Sequence, residues 1–122
     1  MGAGSGWLAY LLRDKGASVD AYDALEGATF IEGWQVWPWS RGVQKGSEDV
    51  LLSEGKVKEA RTLLLCWPEL EAGFATACLG AYRGVRFVFI GEGRGGSTAE
   101  DSFFDTLEAS WVLEVSFLVV CS

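Results

Sequence analysis

The residues of this chain whose types and spacing suit chemistry fall into two glycine loops, a few carboxylates and three cysteines. Gly2-Ala3-Gly4-Ser5-Gly6 runs directly into an apolar, helix-spaced segment that begins at Trp7. Glycine lets the backbone turn sharply and approach a ligand closely, and a helix start offers unpaired N–H groups. The dinucleotide fingerprint G-x-G-x-x-G needs its third glycine where this chain has Trp7, whose indole prevents close helix–strand packing. What remains is G-x-G-x-G followed by Asp23, an acid at the end of the next strand-like segment. A carboxylate in that place can accept hydrogen bonds from both ribose hydroxyls of a nucleoside.

The second loop, Gly91-Glu92-Gly93-Arg94-Gly95-Gly96, fits G-x-G-x-x-G at positions 91, 93 and 96. Glu92 would meet a pyrophosphate with like charge, so the loop reads more simply as a turn over the C-terminal edge of a sheet. Loops at that edge line ligand crevices in α/β folds, which makes Glu92 a substrate-side candidate. The sequence contains no histidine. That excludes Ser-His-Asp and Cys-His catalysis and any zinc site built on imidazole. Cys66, Cys78 and Cys121 have no C-x-x-C spacing and form an odd set, so they read as small buried hydrophobes in a reducing compartment.

The remaining candidates have plain readings. Trp34, Trp37 and Trp39 crowd one loop and serve either as a stacking wall for an acceptor or as that loop's own packing. Glu100, Asp101, Asp105 and Glu108 read as the solvated face and favourable start of a helix. Ten basic against 17 acidic residues give a net charge of −7, which disfavours nucleic acid as a partner. The most apolar stretch, 111–121, includes Glu114 and falls short of the roughly 20 residues of a membrane span. With no leader-like start either, a cytoplasmic protein is expected.

These groups must be positioned by alternating elements on a chain of 122 residues, room for a single domain. The spacing predicts a helix over 7–15 closed by Gly16, then a short strand over 18–23. Residues 24–48 read as a long aromatic, glycine-rich loop with one short strand near Val43, and 47–60 as an irregular helix. Thr62 to Trp67, stopped by Pro68, has the continuous apolar run of a strand buried on both faces. A helix over 69–82 should follow, with Leu70, Phe74, Ala77, Cys78 and Ala81 on one side. Val85 to Ile90 reads as a second buried strand, Ser97-x-x-Glu100 as a capping box opening a helix to about Ser110, and 111–121 as a last strand. Alternation of this kind argues an α/β fold with a largely parallel sheet.

Taken together, these residues carry a resemblance. Gly2-Ala3-Gly4-Ser5-Gly6 with Asp23 resembles class I S-adenosylmethionine-dependent methyltransferases. Nearly the whole chain is similar to an uncharacterised methyltransferase-like group. The shared order is Ala21-Tyr22-Asp23, Leu63 to Pro68, Gly91-Glu92-Gly93, Thr98-Ala99, Phe103-Phe104, Leu107-Glu108 and Trp111. The resemblance implies a Rossmann-like sheet with helices on both faces, a single partial domain cut before its first, central strand. It implies S-adenosyl-L-methionine as cofactor, with Gly2, Gly4 and Gly6 under its methionine part and Asp23 on its ribose. Cys66, Trp67 and Pro68 would then line the side of an unidentified small-molecule or protein methyl acceptor. Where the relatives continue after Trp-Pro with a second proline and an aromatic, this chain has Glu69-Leu70.

Methyl transfer from a sulfonium is an in-line displacement that positioning accelerates, and it tolerates the absence of histidine. Trp67 has two readings: a ring leaning toward the sulfonium, or packing at a strand end. Two other functions stand beside the transferase. One is a non-catalytic interaction domain, whose missing strand leaves a slot for a partner or a second copy of the chain. The other is a module for a different nucleotide, held by the same Asp23.

Overall fold

The first helix ends as its sequence dictates. In α1 (Trp7–Asp14) the stop is Gly16 at φ 90°, whose N–H bonds the Arg13 carbonyl at 2.9 Å while Ala17 N–H reaches Leu12 at 3.0 Å. That pair of bonds is the Schellman closure, and it needs a left-handed residue at the glycine. The computed structural model describes residues 1–24, 42–53, 55, 61–70 and 73–118. The tryptophan-rich loop 33–39 and Cys121 lie outside them.

After α1 come β1 (Ala21–Asp23), β2 (Val43–Lys45), a 3₁₀ turn over Glu48–Leu52, β3 (Leu63–Cys66), α2 (Phe74–Ala81), β4 (Phe87–Ile90) and α3 (Asp101–Ser110). The strands form two parallel pairs, β1 with β2 and β3 with β4, registered Ala21 to Val43 and Leu63 to Phe87. The chain is therefore α/β with parallel pairing. The pairs are joined through Met1–Ala3, whose terminal amine donates to the Leu64 carbonyl at 3.0 Å while Ala3 N–H donates to Tyr22 at 2.9 Å. Arg61 makes a second tie, reaching the Ser18 carbonyl at 2.6 Å and the Asp20 carboxylate at 3.2 Å.

Among the described residues two cores form, of unequal size. Leu63 and Leu65 of β3, Ala75, Cys78 and Leu79 of α2, and Ala99 and Phe103 are buried together. Ala9, Ala21 and Val43 form the smaller one, where α1 meets β1 and β2. Those strands are short and offer α1 little apolar surface, so Trp7 and Leu11, expected on its buried face, are exposed and Ala9 is buried instead. Leu70, expected on the α2 face, precedes that helix and is also exposed.

Three other expectations need correction. β3 and β4 are not covered on both faces: Leu63 and Leu65 are buried, but Val88 and Ile90 face outward, since both packed helices lie on the opposite side. Residues 111–118 form no strand, because no described residue offers them a ladder partner, and Val112, Leu113, Val115, Phe117 and Leu118 are exposed. The third helix begins at Asp101 rather than at a Ser97 cap, because Ala99 is left-handed and breaks the turn that such a cap would open, while the Glu100 carboxylate serves Thr76.

The cysteine reading holds at Cys78, which is fully buried, and in part at the half-buried Cys66. Burial pushes the Cys78 thiol up to about 12, partly opposed by the nearby Met1 ammonium. The unfolded chain ionises this thiol near pH 9 while the folded chain holds it protonated, so stability falls as pH rises above 9. Unfolding in urea should show a loss of about 1 kcal/mol between pH 8 and pH 10. Cys66, shifted the same way by burial, adds to that loss, and Cys78→Ala should remove the larger share. An unchanged slope in that variant would show that other groups cause the fall.

Candidate functional site

Parallel pairing puts the chain's candidate groups where strands end. β1 ends at Asp23 beside Lys45 of β2, and β3 ends at Cys66 beside Ile90 of β4. The glycine loop lies against the first of these ends. Gly2, Gly4 and Gly6 all have left-handed φ, at 62°, 57° and 85°, which explains why glycine stands at each. A side chain at Gly2 would also press on the Phe74 ring at 3.1 Å, whereas the corresponding direction at Gly4 is open.

One oxygen of the half-buried Asp23 carboxylate accepts the Gly4 N–H at 2.9 Å. Loop and acid, separated by 19 residues, are thus brought together, with the first turn of α1 following Gly6. The Met1 ammonium sits in this neighbourhood. Desolvation lowers its pKa, and the negative charge of Asp23 pulls it partly back. The arrangement is a left-handed glycine loop with an open side at Gly4, a carboxylate bonded to it and a helix start behind it, groups that could hold a bound ligand. Gly2, Gly4, Gly6 and Asp23 are the residues that would hold it.

At the other strand end, Trp67 is 61% exposed with φ 52°, a left-handed conformation that costs a non-glycine residue about 1–2 kcal/mol. Its N–H bonds the Ile90 carbonyl at 2.7 Å, continuing the β3–β4 ladder by one rung. Pro68 is buried, and Glu69 pairs with Thr98 in an antiparallel bridge. On the far side of that bridge Ala99 is also left-handed, at φ 57°, and its N–H reaches the Pro68 carbonyl at 3.4 Å. Among the described residues these are the only non-glycine positions with positive φ.

Thr98 holds the arrangement in place. It is fully buried, and its hydroxyl accepts Glu92 N–H at 2.7 Å. One oxygen of the exposed Glu92 carboxylate accepts Ser97 N–H of the same loop, which fastens the loop. The sequence reading missed Thr98 and Glu100 as structural groups. Glu100 receives Thr76 N–H at 3.2 Å and the Thr76 hydroxyl, so it caps α2 from a distant position rather than its own helix. The Ser-x-x-Glu spacing was visible but was assigned to the wrong helix start.

Cys66 is half-buried, and burial pushes its thiol up, partly opposed by the Met1 ammonium, which disfavours the reactive thiolate. Trp67, Pro68, Glu69, Leu70 and Ser97 line an open pocket of about 400 Å³. No hydrogen bond among the described residues joins this pocket to Asp23 or the glycine loop, so there are two separate features at the strand ends. No group of three or more acidic or cysteine side chains among the described residues can hold a metal ion. Among the same residues no helix is long and apolar enough to cross a membrane. Comparison with protein-family models, with curated proteins and with solved structures finds no match to this chain.

Proposed function

We propose that the chain is a Rossmann-like, S-adenosylmethionine-dependent methyltransferase-like domain whose cofactor lies against the Gly2–Gly6 loop and Asp23. The observation that carries this reading is the 2.9 Å hydrogen bond from Gly4 N–H to the Asp23 carboxylate. It sets a strand-end acid against a left-handed glycine loop, the pairing a bound ribose and amino acid need. The order of the strands supports it as well. The strands form two separate parallel pairs, and Met1–Ala3 bridges them with one hydrogen bond to Leu64 of β3 and one to Tyr22 of β1, a connection compatible with a Rossmann-like order β2, β1, β3, β4.

The cofactor would supply an electrophilic methyl group. This chain's own part is to orient it: the loop accommodates the amino acid end without side chains in the way, and Asp23 accepts from the ribose hydroxyls. No general base is assigned, because an acceptor that is already nucleophilic needs none. Titration calorimetry with S-adenosylhomocysteine tests the reading. Binding with a rise in melting temperature is expected, and a folded chain that gives neither heat nor shift rejects it.

A second reading, a non-catalytic interaction domain, is favoured by the outward-facing Val88 and Ile90 and the exposed apolar residues of 111–118. Sedimentation velocity separates the two, since a monomer that binds S-adenosylhomocysteine contradicts the interaction domain.

A further inference from the structure

The pocket behind β3 has a chemistry of its own. Both of the left-handed non-glycine residues among those described, Trp67 and Ala99, flank the single Glu69–Thr98 bridge. Strain of this kind persists only where the surroundings enforce it, and here the buried Thr98, the Glu92 carboxylate and the Ile90 carbonyl do so. Its effect is to hold a large indole out in solvent, since Trp67 lies 61% exposed at the pocket wall. Among the described residues no ring stacks on it, and no hydrogen bond or ion pair engages the Glu69 carboxylate. Among the described residues the wall thus offers an uncovered aromatic surface, a carboxylate without a counter-charge, and the apolar bodies of Pro68 and Leu70.

We propose that this pocket binds an organic ammonium group, with the Trp67 indole as its aromatic wall and Glu69 as its counter-ion. Indole is the strongest of the aromatic side chains for a cation, and a carboxylate on the same wall adds Coulomb attraction. The chemistry excludes the other simple ligands. An anion would meet Glu69 with no basic side chain among the described residues lining the pocket, on a chain of net charge −7. A purely apolar ligand would cover Glu69 without replacing its water. Neither the glycine loop nor Asp23 lines this wall, so ammonium binding is tested apart from the cofactor, although Trp67 and Pro68 are also the residues expected on the methyl-acceptor side.

Choline and its neutral isostere 3,3-dimethylbutan-1-ol, titrated into the full chain without cofactor, test it. Choline should bind and the isostere should bind about tenfold more weakly or not at all. Trp67→Asn removes the indole while keeping a residue that tolerates left-handed φ, and Glu69→Gln removes only the charge. Each should weaken choline by about fivefold or more while leaving the melting temperature close to that of the parent. Equal binding of the isostere, choline affinity unchanged in both variants, or no choline binding by the folded chain would overturn the proposal.

Discussion

Replacing Phe103 by alanine lowers the unfolding free energy by about 3–5 kcal/mol, the largest loss expected from any one side chain described here. Phe103 is fully buried on α3 and lies 5.8 Å from the Phe87 ring and 5.0 Å from Phe89, so it fastens the helix to β4. It also meets Phe104 edge-on at 5.2 Å. Truncation removes the transfer energy of a whole ring and leaves a void between β4 and α3 that the surrounding rings fill only in part. Urea unfolding should show a lower midpoint at an unchanged slope. Phe104→Ala provides the comparison: that ring is only partly buried, and the Arg94 guanidinium lies 5.7 Å from its centre, so it should cost less than half as much. Equal losses for the two variants would mean that the core is not centred on Phe103.

On the proposed cofactor reading, Asp23→Ala weakens S-adenosylhomocysteine binding on the order of 100-fold or more. Two charge-assisted hydrogen bonds to ribose hydroxyls contribute about 1.5–3 kcal/mol each, and every 1.4 kcal/mol is a factor of ten. The variant also loses the acceptor of Gly4 N–H, so some of the effect would come from a loosened loop. Asp23→Asn separates the parts, because its amide oxygen can still accept from Gly4 while the charge is gone. It should keep the parent's melting temperature and yet bind several-fold more weakly. Unchanged affinity in a folded Asp23→Ala protein would remove Asp23 from the site and leave the glycine loop a plain turn.

Much of the local structure was legible because it depends on near neighbours. Gly16 stops α1 since its own φ allows the closing bonds, and Leu63 to Cys66 forms a strand ahead of Pro68, as its branched and apolar residues predict. Even the short β2 could be placed at Val43. Of the candidate residues, the glycine run ahead of α1 and the place of Asp23 at the end of a short strand were legible, while the Gly4–Asp23 contact was not.

What failed depended on distant partners. An apolar run cannot tell whether both faces of its strand will be covered, so Val88 and Ile90 were read as core. The segment 111–118 has a strand's composition but, among the described residues, no ladder to join. The Glu100 carboxylate can serve its own helix or another, and only the position of Thr76 decides. In the same way nothing local marks Trp67 and Ala99 as left-handed; the bridge between two loops imposes it.

The inequality of the two cores has a consequence for how the molecule opens. Among the described residues, Ala9, Ala21 and Val43 together bury only small side chains, while the other core holds Phe103 and three leucines. The part built from α1, β1 and β2 should therefore open at a lower free energy than the rest, and its backbone amides should exchange with solvent faster than those of β3 and α2. The proposed cofactor loop sits in that weaker part. Any ligand captured there acts as its missing core, and by mass linkage would slow amide exchange most in α1 and β1. Exchange that slowed equally everywhere on ligand addition would mean that the two parts open as one unit.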